Sequence, residues 1–189
     1  MELISKYLAD HKAAFEIMAQ RTDQIRKAAE LICAQLKLGK KLIIMGNGGS
    51  AADAQHFAAE LTGRFENENR KPLPAIALTT DTSAISAISN DFGYEFVFQR
   101  QAHALVGSGD VLLGISTSGN SMNVINVFND EKFKNNIKIA LTGDKKSKLS
   151  ELSDCTVYAA STCTARIQEI HIFVIHCICS ILDLEFNDE

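Results

Sequence analysis

The chain has 189 residues, of which 46% are hydrophobic and 22% charged, and a formal net charge of -4 at pH 7. That length and apolar content suffice for one substantial α/β core, and no Pro/Gly/Ser-rich stretch or charge run divides it, so 1-189 reads as a single domain with 1-38 as an N-terminal helical segment. The acidic balance excludes a general nucleic-acid surface, leaving any phosphate to be held by local donors.

Cys33, Cys155, Cys163, Cys177 and Cys179 form no CxxC pair and mostly sit in apolar runs. This is the pattern of reduced core thiols in a cytoplasmic protein. The opening MELISKYLADHK lacks the basic-then-apolar pattern of a signal peptide. No run reaches the roughly 18 uninterrupted apolar residues of a membrane span. The expected location is cytoplasmic, with no membrane contact.

From Leu3 to about Leu38 apolar residues recur at three and four, which predicts amphipathic helix in two pieces. Such a preface either covers the sheet or packs on a partner subunit, and oligomerisation through it is expected. Short β-rich runs follow at Lys41 to Met45, Ala75 to Leu78, Val111 to Ile115, Ile137 to Leu141 and Thr156 to Ala159, alternating with helical stretches. Runs apolar at nearly every position mark strands covered on both faces. The expected architecture is a three-layer α/β/α sandwich around a five-stranded parallel sheet, with ligands bound beyond the carboxyl ends of the strands.

Two loops would lie there. GNGGS, at Gly46 to Ser50, follows KKLIIM, and STSGNS, at Ser116 to Ser121, follows DVLLGI. A buried strand ending in such a loop and opening a helix turns backbone N–H groups and hydroxyls toward an anion, with the helix dipole behind them. Ser50 has the chemistry of an N-cap, and Asp53 three residues later resembles a capping box. STSGNS brings four hydroxyls without the Walker lysine, which argues against a nucleoside triphosphate. Two such loops on one sheet suggest a phosphorylated small molecule held along its length.

His56 and Glu60, four apart on the alanine-rich helix after the first loop, share one face. They could bind a metal together, or Glu60 could act as a base tuned by burial. The SNDFGYEF segment, with Asn90 and Asp91, reads as a loop polar enough for sugar hydroxyls or as simple turn chemistry. The last helix, Thr164 to about Leu184, is apolar around nearly its whole circumference, so its polar residues need reasons. On a helical wheel Gln168 and Glu169 lie about 80° and about 20° from His176, sharing its stripe, whereas His171 falls to the other side and is expected to point elsewhere, as toward another subunit.

Taken together, GNGGSAADAQHFAAELTGR, AISNDFGYEF, GDVLLGISTSGNS and TARIQEIHIFVIH resemble the sedoheptulose 7-phosphate (phosphoheptose) isomerases of the sugar isomerase (SIS) fold family, from about Lys40 to Leu184. The resemblance implies a flavodoxin-like SIS domain that interconverts a ketose and an aldose heptose 7-phosphate on the way to activated heptose for surface glycans. It further implies a homotetramer with zinc held by His56, Glu60, Gln168 and His176. The implied substrate contacts are Asn47, Gly48, Gly49, Ser50, Glu60, Asn90, Asp91, Ser116, Thr117, Ser118, Ser121 and Gln168, with Glu60 as base and His176 as its acid/base partner. One departure is the stretch Ser161, Thr162, Cys163, Thr164 and Ala165 before Arg166, where some family members carry an acidic group. The competing readings on the same fold are a non-catalytic protein that binds the bacterial replication initiator and a sugar-phosphate sensor. Relatives of the first kind lack the counterparts of Glu60 and His176.

Overall fold

A computed structural model of the chain describes residues 1–187. Two helices, α1 (Glu2–Met18) and α2 (Thr22–Lys37), precede β1 (Leu42–Gly46), α3 (Gly49–Thr62) and β2 (Ala75–Ala77). Then come α4 (Thr82–Phe92), a single 3-10 turn at Tyr94–Phe96, α5 (Val97–Leu105), β3 (Val111–Ser116) and α6 (Met122–Phe128). The chain closes with β4 (Ile137–Thr142), α7 (Lys148–Glu151), β5 (Cys155–Tyr158) and α8 (Thr164–Glu185). The five strands fall where the apolar runs predicted them.

All strands are parallel, in the order β2-β1-β3-β4-β5. This is the doubly wound order whose direction of winding reverses between β1 and β3. Strand residues alternate between two separate cores. Leu42, Ile44, Val111, Leu113, Ile139 and Leu141 pack with α2, α3 and α8, while Ile43, Met45, Leu112 and Ala140 pack with α5, α6 and α7. Both faces are therefore apolar, which is why the strands read as unbroken apolar runs.

The two-piece helical preface forms as expected, and its halves differ. α2 buries Ile25, Ala28, Ala29, Ile32, Cys33 and Leu36 against the sheet layer, whereas α1 leaves Leu3, Ile4, Tyr7 and Leu8 exposed. α8 is long and apolar enough to cross a bilayer, with mean hydropathy 1.6, but half of that stretch is buried, against α2 and α3 among other elements. Among the described residues all five cysteines are free thiols; Cys33, Cys155 and Cys179 are buried and Cys163 is exposed.

The segment holding Asn90 and Asp91 is helix rather than loop. α4 is capped by Asp81, whose carboxylate accepts the Ala84 N–H at 2.9 Å, and runs through Asn90 and Asp91 to Phe92 without burying any residue. Its few apolar side chains, Ile85 and Ile88, recur at three, but the surrounding serines mask the period.

Candidate active site

The loops after β1 and β3 emerge side by side at the switch point, where a doubly wound sheet opens a crevice. Gly48 has φ +57°, a conformation that favours glycine, and it serves as the N-cap of α3 without a side-chain bond. Ser50 is therefore not the cap: α3 begins at Gly49, and Ser50 is buried in its first turn. Nor does the capping box form. Asp53 Oδ2 is buried without a hydrogen-bond partner, and desolvation pushes the Asp53 pKa up to about 6 against the opposing pull of His56.

Gly49 faces α8 directly. A Cβ there would stand 2.3 Å from Gln168 Nε2, so the first loop and Gln168 are in contact only because no side chain intervenes. Asn47 exchanges amide bonds with Asn123 of α6 at 2.9 and 2.8 Å, and accepts the Tyr94 hydroxyl at 2.8 Å. These three bonds lash the first loop to the elements beside the second.

The residues expected to act as acid and base converge from two helices. His56 Nε2 lies 3.0 Å from His176 Nε2 and 3.3 Å from Glu60 Oε1. Phe65, just past α3, stacks on the His176 ring at 5.5 Å between centroids. The Glu60 side chain is 22% exposed and that of His56 43%, so the pair faces open space at the protein surface. Gln168, two turns before His176 on α8, completes the row toward Gly49.

Two α8 residues depart from the expected arrangement. Glu169 does not join His176: it takes His11 Nδ1 of α1 at 2.8 Å and pairs with Arg166. His171 points inward rather than toward another subunit, fully buried, with its Nε2–H donated to the Thr142 carbonyl at 3.1 Å and its Nδ1 unpartnered. Burial lowers its pKa to about 4, the bond to Thr142 opposing.

In the second loop, the Ser116 and Ser121 hydroxyls meet at 2.9 Å. Thr117 and Ser118 line a cavity of about 180 Å³ with Gly143, Lys145, Ser161 and Thr162, while Ser121 and Asn47 border a wider one of about 480 Å³ with Tyr94 and Asn123. Asn90 and Asp91 are exposed at the end of α4 and bond each other at 2.8 Å. Sequence reasoning missed Asn123, Tyr94 and Lys145. Asn123, one of two asparagines in the otherwise apolar stretch MNVINVF, was the one usable signal, since a buried amide needs a partner.

Two imidazoles and a carboxylate thus meet on the helices α3 and α8, and the two strand-end loops open at the switch point of a doubly wound sheet. Residues 6–143 match the SIS domain family. The chain is 50% identical over 186 residues to the phosphoheptose isomerase of Campylobacter jejuni subsp. jejuni serotype O:6, covering 98% of this chain and 100% of that one. Among solved structures it superposes on the phosphoheptose isomerase of Neisseria gonorrhoeae with TM-score 0.90 and 42% identity, covering 97% and 98% of the two chains. The phosphoheptose isomerase of Francisella tularensis gives TM-score 0.92 and 34% identity, with 97% of each chain covered. The chain belongs to the phosphoheptose isomerase family of SIS-domain proteins.

Proposed function

We propose that this protein converts D-sedoheptulose 7-phosphate to D-glycero-D-manno-heptose 7-phosphate. The observation that carries this reading is the meeting of Glu60, His56 and His176 about two turns along α3 and α8 from the contact between Gly49 and Gln168, in a chain alike over its length to phosphoheptose isomerases.

Moving the carbonyl from C2 to C1 requires one proton to leave C1 and one to reach C2, with an enediol between. Glu60 takes the C1 proton and returns it at C2. His176 protonates the C2 oxygen as the enediol forms and receives the O1 proton as it collapses. Hydroxyls of Ser50, Ser116, Thr117, Ser118 and Ser121 hold the phosphate at the positive end of α3, and Asn47, Gly48, Gly49, Asn90 and Asp91 contact the sugar.

Zinc is part of the proposal. Two imidazole nitrogens and a carboxylate suit zinc in kind, and separations of 3.0 and 3.3 Å match neighbouring ligands on an ion with bonds of about 2.0–2.2 Å. Among the described residues no group of three or more His, Cys, Asp or Glu side chains is already arranged to hold a metal ion, so the ligands would have to draw together on binding it. His56, Glu60, Gln168 and His176 would hold it. A zinc there would polarise the substrate oxygens and make Glu60 less basic.

A cytoplasmic homotetramer supplying heptose for lipopolysaccharide or other surface glycans completes the reading. The exposed apolar residues of α1 and the unburied α4, which carries Asn90 and Asp91, support assembly of the site between subunits. The test is direct: purified protein given sedoheptulose 7-phosphate yields the aldose. No aldose, with and without added zinc, overturns the isomerase in favour of a sensor or regulator.

A further inference from the structure

Behind the acid/base residues lies a charged group that the proposed chemistry does not use. Arg70 sits in the segment between α3 and β2, among Glu68, Asn69 and Lys71, where a solvated turn would be expected. Its side chain is instead wholly buried. Arg70 Nε donates to Asp183 Oδ1 at 2.5 Å, Nη2 to the Glu60 carbonyl at 2.7 Å, and Nη1 to the carbonyls of Leu61 and Lys71 at 3.0 and 2.7 Å. The other Asp183 oxygen accepts the backbone N–H groups of Glu66 and Asn67, both at 2.8 Å.

The placement of these bonds matters more than their number. The last carbonyls of a helix have no partner within it, and the negative end of the dipole favours a cation there. Arg70 fills that role for α3, and one of the three main-chain carbonyls it grips is that of Glu60 itself. Asp183 lies on α8 two turns beyond His176, so the pair bolts the end of α3 to the helix bearing the imidazole. By holding Glu66, Asp183 also fixes the neighbouring Phe65, whose ring stacks on His176.

We propose that Arg70 and Asp183 are positioning residues that set the separation of Glu60 and His176. The inference rests on the isomerase reading above. A planar fork reaching three carbonyls and a carboxylate at fixed angles constrains a backbone in a way that a single ammonium cannot. Displacements of about 1 Å at reacting groups cost about a hundredfold in rate.

Arg70→Lys and Asp183→Asn are assayed with sedoheptulose 7-phosphate beside the unmutated protein, well below each melting temperature and with folding checked by circular dichroism. Each folded variant should lose about ten- to a hundredfold in kcat with KM within about twofold, because the phosphate and sugar contacts are untouched. A folded variant with kcat within about twofold of the parent overturns the proposal. If neither variant folds, amide exchange in the unmutated protein decides. Coupling is reciprocal, so saturating sedoheptulose 7-phosphate should slow exchange at Glu66 and Asn67 by about threefold or more, and unchanged exchange overturns the clamp. An unmutated protein that binds the sugar without turnover would sink the isomerase reading instead, leaving the exchange result to judge the clamp.

Discussion

His56 and His176, 120 positions apart in sequence, meet Nε2 to Nε2 at 3.0 Å. In that bond one ring supplies the proton and the other the lone pair, and Glu60 Oε1 lies 3.3 Å from His56 at its edge. Replacing the carboxylate while keeping its shape isolates its part in proton transfer. Glu60→Gln should lower kcat by about 10²–10⁴ with an unchanged circular dichroism spectrum. A loss under tenfold would remove Glu60 from the chemistry.

A methyl group at the first loop should act on the site without unfolding the protein. Gly49→Ala places a carbon 2.3 Å from Gln168 Nε2, and the side-chain amide must move. The expected result is at least a tenfold loss in kcat/KM with a melting temperature within a few degrees of the parent. Full activity would show that Gln168 needs no fixed place.

Acid should weaken the protein through His171. With a folded pKa of about 4 against about 6.5 when unfolded, the unfolded chain binds the extra proton between those values. Stability is intact above pH about 6.5 and falls by about 3 kcal/mol as pH drops to 4 and below. His171→Gln, able to keep the bond to Thr142, should flatten that part of the profile in urea titrations. An unchanged slope would refute the assignment.

Asp53 works in the opposite sense. Its folded pKa of about 6 exceeds the usual carboxylate value, so the folded state binds the extra proton and loses stability as pH rises through about 4 to 6. Asp53→Asn removes the uncompensated charge. At pH 7.5 the variant should melt higher by about 2–4 °C, an effect held small by partial solvent access, and at pH 4 the two proteins should melt together. A lower melting temperature at pH 7.5 would mean that the charge has a stabilising partner.

The zinc proposal has a readout besides turnover. Protein dialysed against a chelator and returned to zinc should take up about one ion per chain by elemental analysis, and His56→Gln and His176→Gln should each reduce uptake by about tenfold or more. Equal uptake by the parent and both variants would place the metal elsewhere.

The parallel sheet was legible because strands covered on both faces must be apolar throughout. The convergence of the His56 and Glu60 face on His176 was legible because polar side chains on an otherwise apolar helix have few places to go. Glu169 was misread for a related reason. A helical wheel gives the face of a residue but not what another element brings opposite it, and here α1 brings His11. Arg70 was illegible, since three of its four acceptors are main-chain carbonyls, which leave no mark in side-chain pattern. Ser50 failed as a cap because Gly48 could start the helix two residues earlier with a backbone conformation that serine disfavours.

The alternation of β1 between two apolar cores also determines how that strand can change. Ile43 and Met45 belong to one core, Leu42 and Ile44 to the other. Inserting a single residue would exchange the occupants of both interiors without exposing one greasy side chain, so solubility would give no warning of the error. The same half-turn would reverse the direction of Asn47 immediately downstream. Length variation in this strand is thus constrained to steps of two, and grafting its loop onto another scaffold demands matching parity before matching residues.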